Sequence, residues 1–141
     1  MRKIDSIILH CTSTPEGKDY SVAEIRRWHV VGNGWNDIGY HYIVHPDGSV
    51  DAGRPVEQIG AHCKGHNSTS IGVAYIGGMT ADMKSPKDTM TEAQNASMVQ
   101  LVRELMQRYR ILSSKIYGHR EFEQKACPSF DVQDWKRRNA L

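Results

Sequence analysis

The feature that most constrains this chain is a polar segment near its C-terminus, Tyr117 to Pro128, which contains two side chains that commonly bind metals. His119 and Cys127 lie eight residues apart, and the residues between them are too polar for a protein core. Pro128 disfavours helical backbone at Cys127, so the thiol is predicted to lie on a loop. An imidazole and a thiolate suit zinc. Because two ligands do not hold a metal, the fold must bring a third ligand to this loop. The alternative is an unpaired cysteine near a surface histidine.

Composition indicates one globular domain that spans residues 1–141, with a single sizeable core. Apolar residues make up 39% and charged residues 24%, and the mean hydropathy of −0.55 argues against a membrane protein. A formal net charge of +2, with lysines and arginines scattered along the chain, does not indicate nucleic-acid binding. We therefore expect a monomer that binds neither nucleic acid nor membrane. The three cysteines, none in a C-x-x-C pair, argue against a disulfide scaffold.

The first residues do not resemble an export signal. Met1 to Lys3 are basic, but Asp5 and Ser6 follow, and the apolar run Ile7–Leu9 is too short for a signal-peptide core or a membrane span. We expect the protein to be cytoplasmic as synthesised. It would reach a target outside the cell only after release or by non-classical export.

Hydrophobic patterning predicts an α/β fold, with a central mixed β-sheet flanked by helices. Strands are predicted at Ile4–Leu9, Gly39–Val44, Val50–Ala52, Ser70–Ile76 and Lys115–Tyr117. Capping boxes at Ser21–Glu24 and Thr91–Gln94 begin two helices, and a third covers Val132–Arg138. Trp28 and Trp135 are predicted to be core residues, and His29 a structural one. Alternation places Tyr40 and Tyr42 on one face of their strand. Residues 79–90 show no period and are predicted to form a surface excursion.

His10 is the natural third ligand, because it follows the first predicted strand at the point where the chain leaves the sheet. If that strand lies beside the strand before His119, then His10, His119 and Cys127 form a set of three ligands. Three protein ligands are typical of catalytic zinc, whereas structural zinc has four. Cys11 would point to the other side of the strand, so a structural zinc site lacks a fourth ligand. The alternative is that His10 is a hydrogen-bonded histidine without a functional role.

Seven motifs run along nearly the whole chain: I-I-L-H-C-T (7–12), R-x-W-H (26–29), G-Y-H-Y-I-V (39–44), D-G-x-V-x-x-G-R (47–54), G-A-H-C-K-G-H-N-x-x-S-I-G-V (60–73), G-H-R-E (118–121) and K-A-C-P-S-F (125–130). In this order they resemble the zinc-dependent N-acetylmuramoyl-L-alanine amidases of the bacteriophage-lysozyme and peptidoglycan-recognition-protein family. The resemblance implies an endolysin-like enzyme that cleaves the amide bond between N-acetylmuramic acid and L-alanine in peptidoglycan. A phage endolysin, a prophage remnant and a bacterial recycling enzyme all remain open.

The resemblance also implies roles for seven residues. His10, His119 and Cys127 match the zinc ligands, Tyr40 and Lys125 the catalytic residues, and His62 and Asn67 match positions of the substrate groove. Members that only recognise peptidoglycan lack the cysteine ligand, so the presence of Cys127 favours cleavage over binding. The excursion at 79–90 and the extra Cys63 depart from the simplest phage pattern.

The chemistry of amide hydrolysis agrees with these roles. Zinc would activate water and polarise the scissile carbonyl. The chain has no H-E-x-x-H glutamate, so Tyr40 is the candidate for proton transfer. Lys125 could stabilise the oxyanion. Glu121 could be a hydrogen-bond partner of His119 or simply a solvated glutamate. A module that binds peptidoglycan without cutting it, or a toxin-like effector, remains the alternative function.

Overall fold

A five-stranded sheet forms the centre of the protein in a computed structural model that describes residues 1–141. The strands are β1 Ser6–Cys11, β2 Thr14–Pro15, β3 Tyr42–Val44, β4 Val50–Ala52, β5 Ser70–Tyr75, β6 Gly78–Met79 and β7 Ile116–Gly118. The order in the main sheet is β4-β3-β5-β1-β7, and β2 pairs with β6 in a separate ribbon. Only β3 and β4 are antiparallel; the other pairs in the main sheet are parallel. The predicted mixed sheet is confirmed.

Three α-helices accompany the sheet: α1 Val22–Arg27, α2 Glu92–Tyr109 and α3 Val132–Arg138. The predicted capping box at Thr91 is complete, because Thr91 Oγ1 accepts from the Gln94 amide and Gln94 Oε1 accepts from the Thr91 amide. At Ser21 only half of the box forms. Its Oγ accepts from the Glu24 amide, whereas the Glu24 carboxylate accepts from the Ser21 hydroxyl instead of the Ser21 amide. None of the helices combines the length and apolar composition needed to cross a bilayer.

The main core lies between one face of the sheet and helices α2 and α3. Helix α2 contributes Met98, Leu101, Val102 and Leu105, as its periodicity predicts, and α3 contributes the buried Trp135. The indole N–H of Trp135 donates to Asn95 Oδ1 at 2.7 Å, so its polar atom is satisfied. A second, smaller core lies on the other side of the sheet and consists of Ile25, Ile38, Ile43 and Ile76.

Two expectations about side-chain placement are wrong. Trp28 is 39% exposed, because α1 ends at Arg27 and a π-helical turn, Trp28–Gly32, carries its ring to the surface beside Tyr20. Tyr40 does not share a face with Tyr42. Strand β3 begins only at Tyr42, so the alternation does not extend back to Tyr40, which packs against the smaller core while Tyr42 packs against the main one.

The excursion at 79–90 lies at the surface, as predicted. Most of its residues are exposed, and only Met79 belongs to a strand.

Candidate metal centre and active site

The pairing of β1 with β7 creates the site. These strands are parallel and adjacent, with Leu9 opposite Gly118, so the residues that follow Leu9 and Gly118 lie side by side near the C-terminal ends of the two strands. Those residues are His10 and His119, and their Nδ1 atoms lie 3.2 Å apart. The expectation that the two strand ends are neighbours is confirmed.

Cys127 reaches the same point from the loop after His119. Its Sγ lies 3.8 Å from His10 Nδ1 and accepts a hydrogen bond from the backbone N–H of Cys11 at 3.2 Å. The backbone N–H of Arg120 donates to the Cys127 carbonyl at 2.8 Å and holds the loop closed. The Cys11 side chain itself packs in the main core with Leu9, on the other side of β1 from His10.

A chain of hydrogen bonds fixes the proton on His10. Ser70 Oγ donates to the His66 carbonyl at 2.6 Å, so it can accept from Nε2–H of His62 at 3.2 Å. His62 Nδ1 is then an acceptor, and it lies 2.8 Å from His10 Nε2. His10 must therefore carry its proton on Nε2, which leaves the Nδ1 lone pair directed at His119 and Cys127.

The two histidines in this series of hydrogen bonds, His10 and His62, are neutral at physiological pH. Burial, together with the nearby His62, His119, Lys125 and His41, holds the pKa of His10 well below its usual range. Burial, together with nearby His41, His119 and two arginines, lowers the pKa of His62 to about 3. Neutral imidazoles are the form that binds metal.

His119 is oriented by Glu123, four residues later. The carboxylate accepts from His119 Nε2–H, and this hydrogen bond lowers the pKa of Glu123. The structure does not give this role to Glu121. The turn after β7 directs the Glu121 carboxylate back to the Gly118 amide, at 2.6 Å. Glu123 lies beyond the short 3₁₀ turn His119–Glu121, so no helical spacing rule indicated this partner in the sequence.

The three candidate ligands fit zinc. With Nε2 protonated on both histidines, the two Nδ1 lone pairs face each other beside the Cys127 sulfur, and a cation held between them would accept both lone pairs. Nitrogen bound at about 2.0–2.1 Å and sulfur at about 2.3 Å place tetrahedral N···N pairs about 3.3 Å and N···S pairs about 3.6 Å apart. The distances of 3.2 Å and 3.8 Å agree with this geometry.

Comparison with known proteins decides the family. The sequence matches the N-acetylmuramoyl-L-alanine amidase family over residues 1–130. The protein belongs to this family. The amidase is 40% identical to the endolysin of Klebsiella phage KP32 over 140 residues, which cover 99% of this chain and 90% of the endolysin. The classification made from its motifs, as an amidase and therefore an enzyme, is confirmed.

Solved structures agree with the sequence match. N-acetylmuramoyl-L-alanine amidase LysC from Clostridium intestinale superposes with a TM-score of 0.82 and 27% identity, covering 99% of this chain and 87% of that one. A complex of tracheal cytotoxin with the ectodomains of peptidoglycan recognition proteins LCa and LCx gives a TM-score of 0.78 and 27% identity, with 97% and 83% coverage.

A cavity of about 230 Å³ opens above the three candidate ligands of the amidase, and Tyr40, Lys125 and His29 also line it. A second cavity of about 400 Å³ adjoins it and shares Trp35, His62, His119 and Lys125. Trp35 lines both cavities and is 37% exposed, and none of the sequence motifs includes it. An aromatic residue three positions after a glycine-rich helix end gave no distinctive signal.

Tyr40 lies over the ligands. Its hydroxyl donates to the Cys11 carbonyl at 3.5 Å, and its ring centre is 5.4 Å from that of His10. Burial, with added effects of Cys127 and Cys11, raises the pKa of Tyr40 far above its usual range, so the hydroxyl keeps its proton at neutral pH. His29 supports this arrangement as a structural residue: its Nδ1 accepts from the Gly39 amide at 2.9 Å and its ring packs against Tyr40.

Lys125 is exposed at the mouth of both cavities and takes part in none of the ion pairs of the structure. Its backbone N–H donates to the Glu123 carbonyl at 2.8 Å, which fixes the start of the side chain.

His62 and Asn67 lie at the larger cavity, as the groove assignment requires. Both also have structural hydrogen bonds. The two ring nitrogens of His62 face His10 and Ser70, and Asn67 Oδ1 accepts from the amides of His62 and Cys63 at 2.9 Å each. Contact of either residue with substrate stays a prediction.

Proposed function

We propose that this amidase cleaves the bond between N-acetylmuramic acid and L-alanine with one zinc ion held by His10 Nδ1, His119 Nδ1 and Cys127 Sγ. The observation that carries the proposal is the convergence of these three side chains beneath a cavity, with His10 Nδ1 at tetrahedral distances from both His119 Nδ1 and Cys127 Sγ. Zinc in this position supplies a Lewis acid that polarises the scissile carbonyl and activates water.

Tyr40 acts on the proton side of the reaction. Its protonated hydroxyl lies beside His10 and faces the cavity, so it donates to oxygen or nitrogen atoms of the scissile amide as charge develops there. Tyr40 could take or give the proton, and the rise of its pKa on burial favours giving it.

Lys125 acts through its charge. The ammonium group reaches over the cavity from the rim, where it stabilises the oxyanion that forms when the carbonyl is attacked.

The substrate is peptidoglycan or a soluble muropeptide. The two adjoining cavities form a groove with the metal centre at one end, which suits a stem peptide that extends away from the scissile bond. The matched complex with tracheal cytotoxin supports a ligand of this kind.

The decisive experiment combines metal analysis with digestion of purified sacculi. The parent protein should contain one zinc per chain and release new L-alanine amino termini. Cys127→Ala should lose most of both, and Cys63→Ala, which removes a different buried thiol, should retain both. Zinc content that is unchanged in Cys127→Ala would refute the ligand assignment. Binding to sacculi without new amino termini would make the protein a recognition module.

A further inference from the structure

A second group of metal-binding side chains lies on the far side of His119. One potential ligand atom from each of Cys63, His119 and Glu123 lies within 4.8 Å of the other two. The His119 nitrogen that faces the Glu123 carboxylate is Nε2. The Cys63 side chain is buried, with the residue only 1% exposed. None of the roles proposed above uses this thiol.

Both segments that form this cluster are held in place. On one side, Asn67 Oδ1 accepts from the Cys63 amide and fixes the loop that carries the thiol. On the other, Phe122 stacks on His66 with ring centres 3.9 Å apart, which ties the turn containing Glu123 to the same loop. The three donors are therefore preorganised and not a chance meeting of mobile side chains.

The donor types suit a soft or borderline divalent cation. A thiolate, an imidazole and a carboxylate are all zinc ligands. The thiolate also suits cadmium, which is softer than zinc, and disfavours magnesium and calcium. Lys64 and Lys125 lie near enough to lower the pKa of Glu123 by their charge, so they oppose a bound dication. This site should therefore be weaker than the one at Cys127 and fill only at excess metal.

The two sites compete for one imidazole. Neutral histidine has a single lone pair, on Nδ1 or on Nε2. The first site uses Nδ1 of His119 with the proton on Nε2, whereas the second needs Nε2 with the proton on Nδ1. A neutral His119 therefore cannot bind metal in both sites at the same time.

We propose that Cys63, Glu123 and His119 Nε2 form an inhibitory site for a soft divalent cation such as excess Zn²⁺ or Cd²⁺, which withdraws His119 from the first site. This inference rests on the proposed role of His119 as a zinc ligand. On binding, the Cys63 thiol releases its proton to solvent, and the His119 proton moves from Nε2 to Nδ1 through water.

The first test adds Cd²⁺ to Cys127→Ala and follows the thiolate-to-cadmium charge-transfer absorption in the ultraviolet. Cys63 is then the thiol with two further donors beside it, and we expect the band to appear. The double variant Cys63→Ala/Cys127→Ala should show none, although Cys11 is still present. A missing band in Cys127→Ala overturns the proposal. The zinc content of Cys127→Ala tests the first site separately.

The second test uses the zinc-loaded enzyme with both thiols. Excess Zn²⁺ or Cd²⁺ should inhibit the parent, while Cys63→Ala should have the parent's activity without added metal. Loss of one ligand should raise the inhibitory concentration by at least about tenfold. Equal inhibition of the parent and Cys63→Ala would overturn the proposal.

Discussion

The candidate metal centre has an inner wall, formed by His10, Tyr40 and His62, and an outer rim, formed by His119, Glu123 and Lys125. Each side directs one histidine Nδ1 at the same point, but by different means. In the inner wall, His10 is held by a series of neutral hydrogen-bonding groups that runs through His62 and Ser70 to the His66 carbonyl. The outer rim uses a carboxylate whose side chain is 27% exposed. Water can replace a partner at the exposed rim more readily than between the buried rings of His10 and His62, so equivalent changes should cost more on the inside.

Tyr40→Phe should give the largest effect, because it removes a proton donor from the wall without changing its shape. The rate should fall by about 10²–10⁴-fold. Zinc content and thermal stability should match the parent. New L-alanine amino termini released from sacculi measure the rate, and full activity would assign the proton transfer to another group.

Lys125→Met tests the rim by removing charge at nearly constant length. We expect a loss of roughly 10²–10³-fold, the size seen when one oxyanion donor is removed. Lys125→Arg should keep part of the activity, since it keeps the charge and the reach. The comparison requires equal zinc content in both variants. Equal turnover by Lys125→Met and the parent would show that this lysine is only a surface charge.

His62→Leu tests the support of His10. It leaves His10 Nε2–H and Ser70 Oγ without their partner in a buried site. Zinc affinity, measured by competition with a chelator, should fall about 10–100-fold, and the free energy of unfolding should fall by about 1–3 kcal/mol. His62→Gln can accept from His10 and donate to Ser70, so it should recover part of both losses. If His62 only contacts substrate, zinc affinity will stay at the parent value.

Glu123→Gln should have the smallest effect of the four, because solvent reaches the rim. The amide oxygen still accepts from His119 Nε2–H, although without the negative charge. Zinc affinity should fall by about tenfold or less, with a change in unfolding free energy below about 1 kcal/mol. A larger loss of zinc here than in His62→Leu would reverse the comparison between wall and rim.

The sequence was sufficient for the elements that depend on local pattern. The α2 capping box, its apolar stripe and the first strand are all read from neighbouring residues. The structure contains each of them, although β1 continues to Cys11 and so includes His10. The proximity of His10 and His119 required one further assumption, that β1 and β7 are adjacent. No local pattern specifies that pairing, because parallel strands meet only through the whole fold.

The two wrong predictions of side-chain placement, for Trp28 and Tyr40, concern residues where the backbone is irregular. Trp28 follows the helical period, but a π-helical turn at that residue redirects its ring. Tyr40 lies just before its strand begins, where alternation has no meaning. The hydrogen bond from His10 to His62 joins residues 52 apart in the chain, so spacing could not predict it.

Gly72 in β5 limits how this amidase can be engineered. A glycine inside a strand is normally an attractive target for thermostabilisation, since alanine at a compatible position gains about 0.4–1 kcal/mol. Here an added methyl group would lie 2.5 Å from the His62 ring, which packs over the strand at that point. A library screened only for melting temperature could therefore select substitutions that displace His62. A screen for heat-resistant variants needs zinc retention as a second criterion at this position.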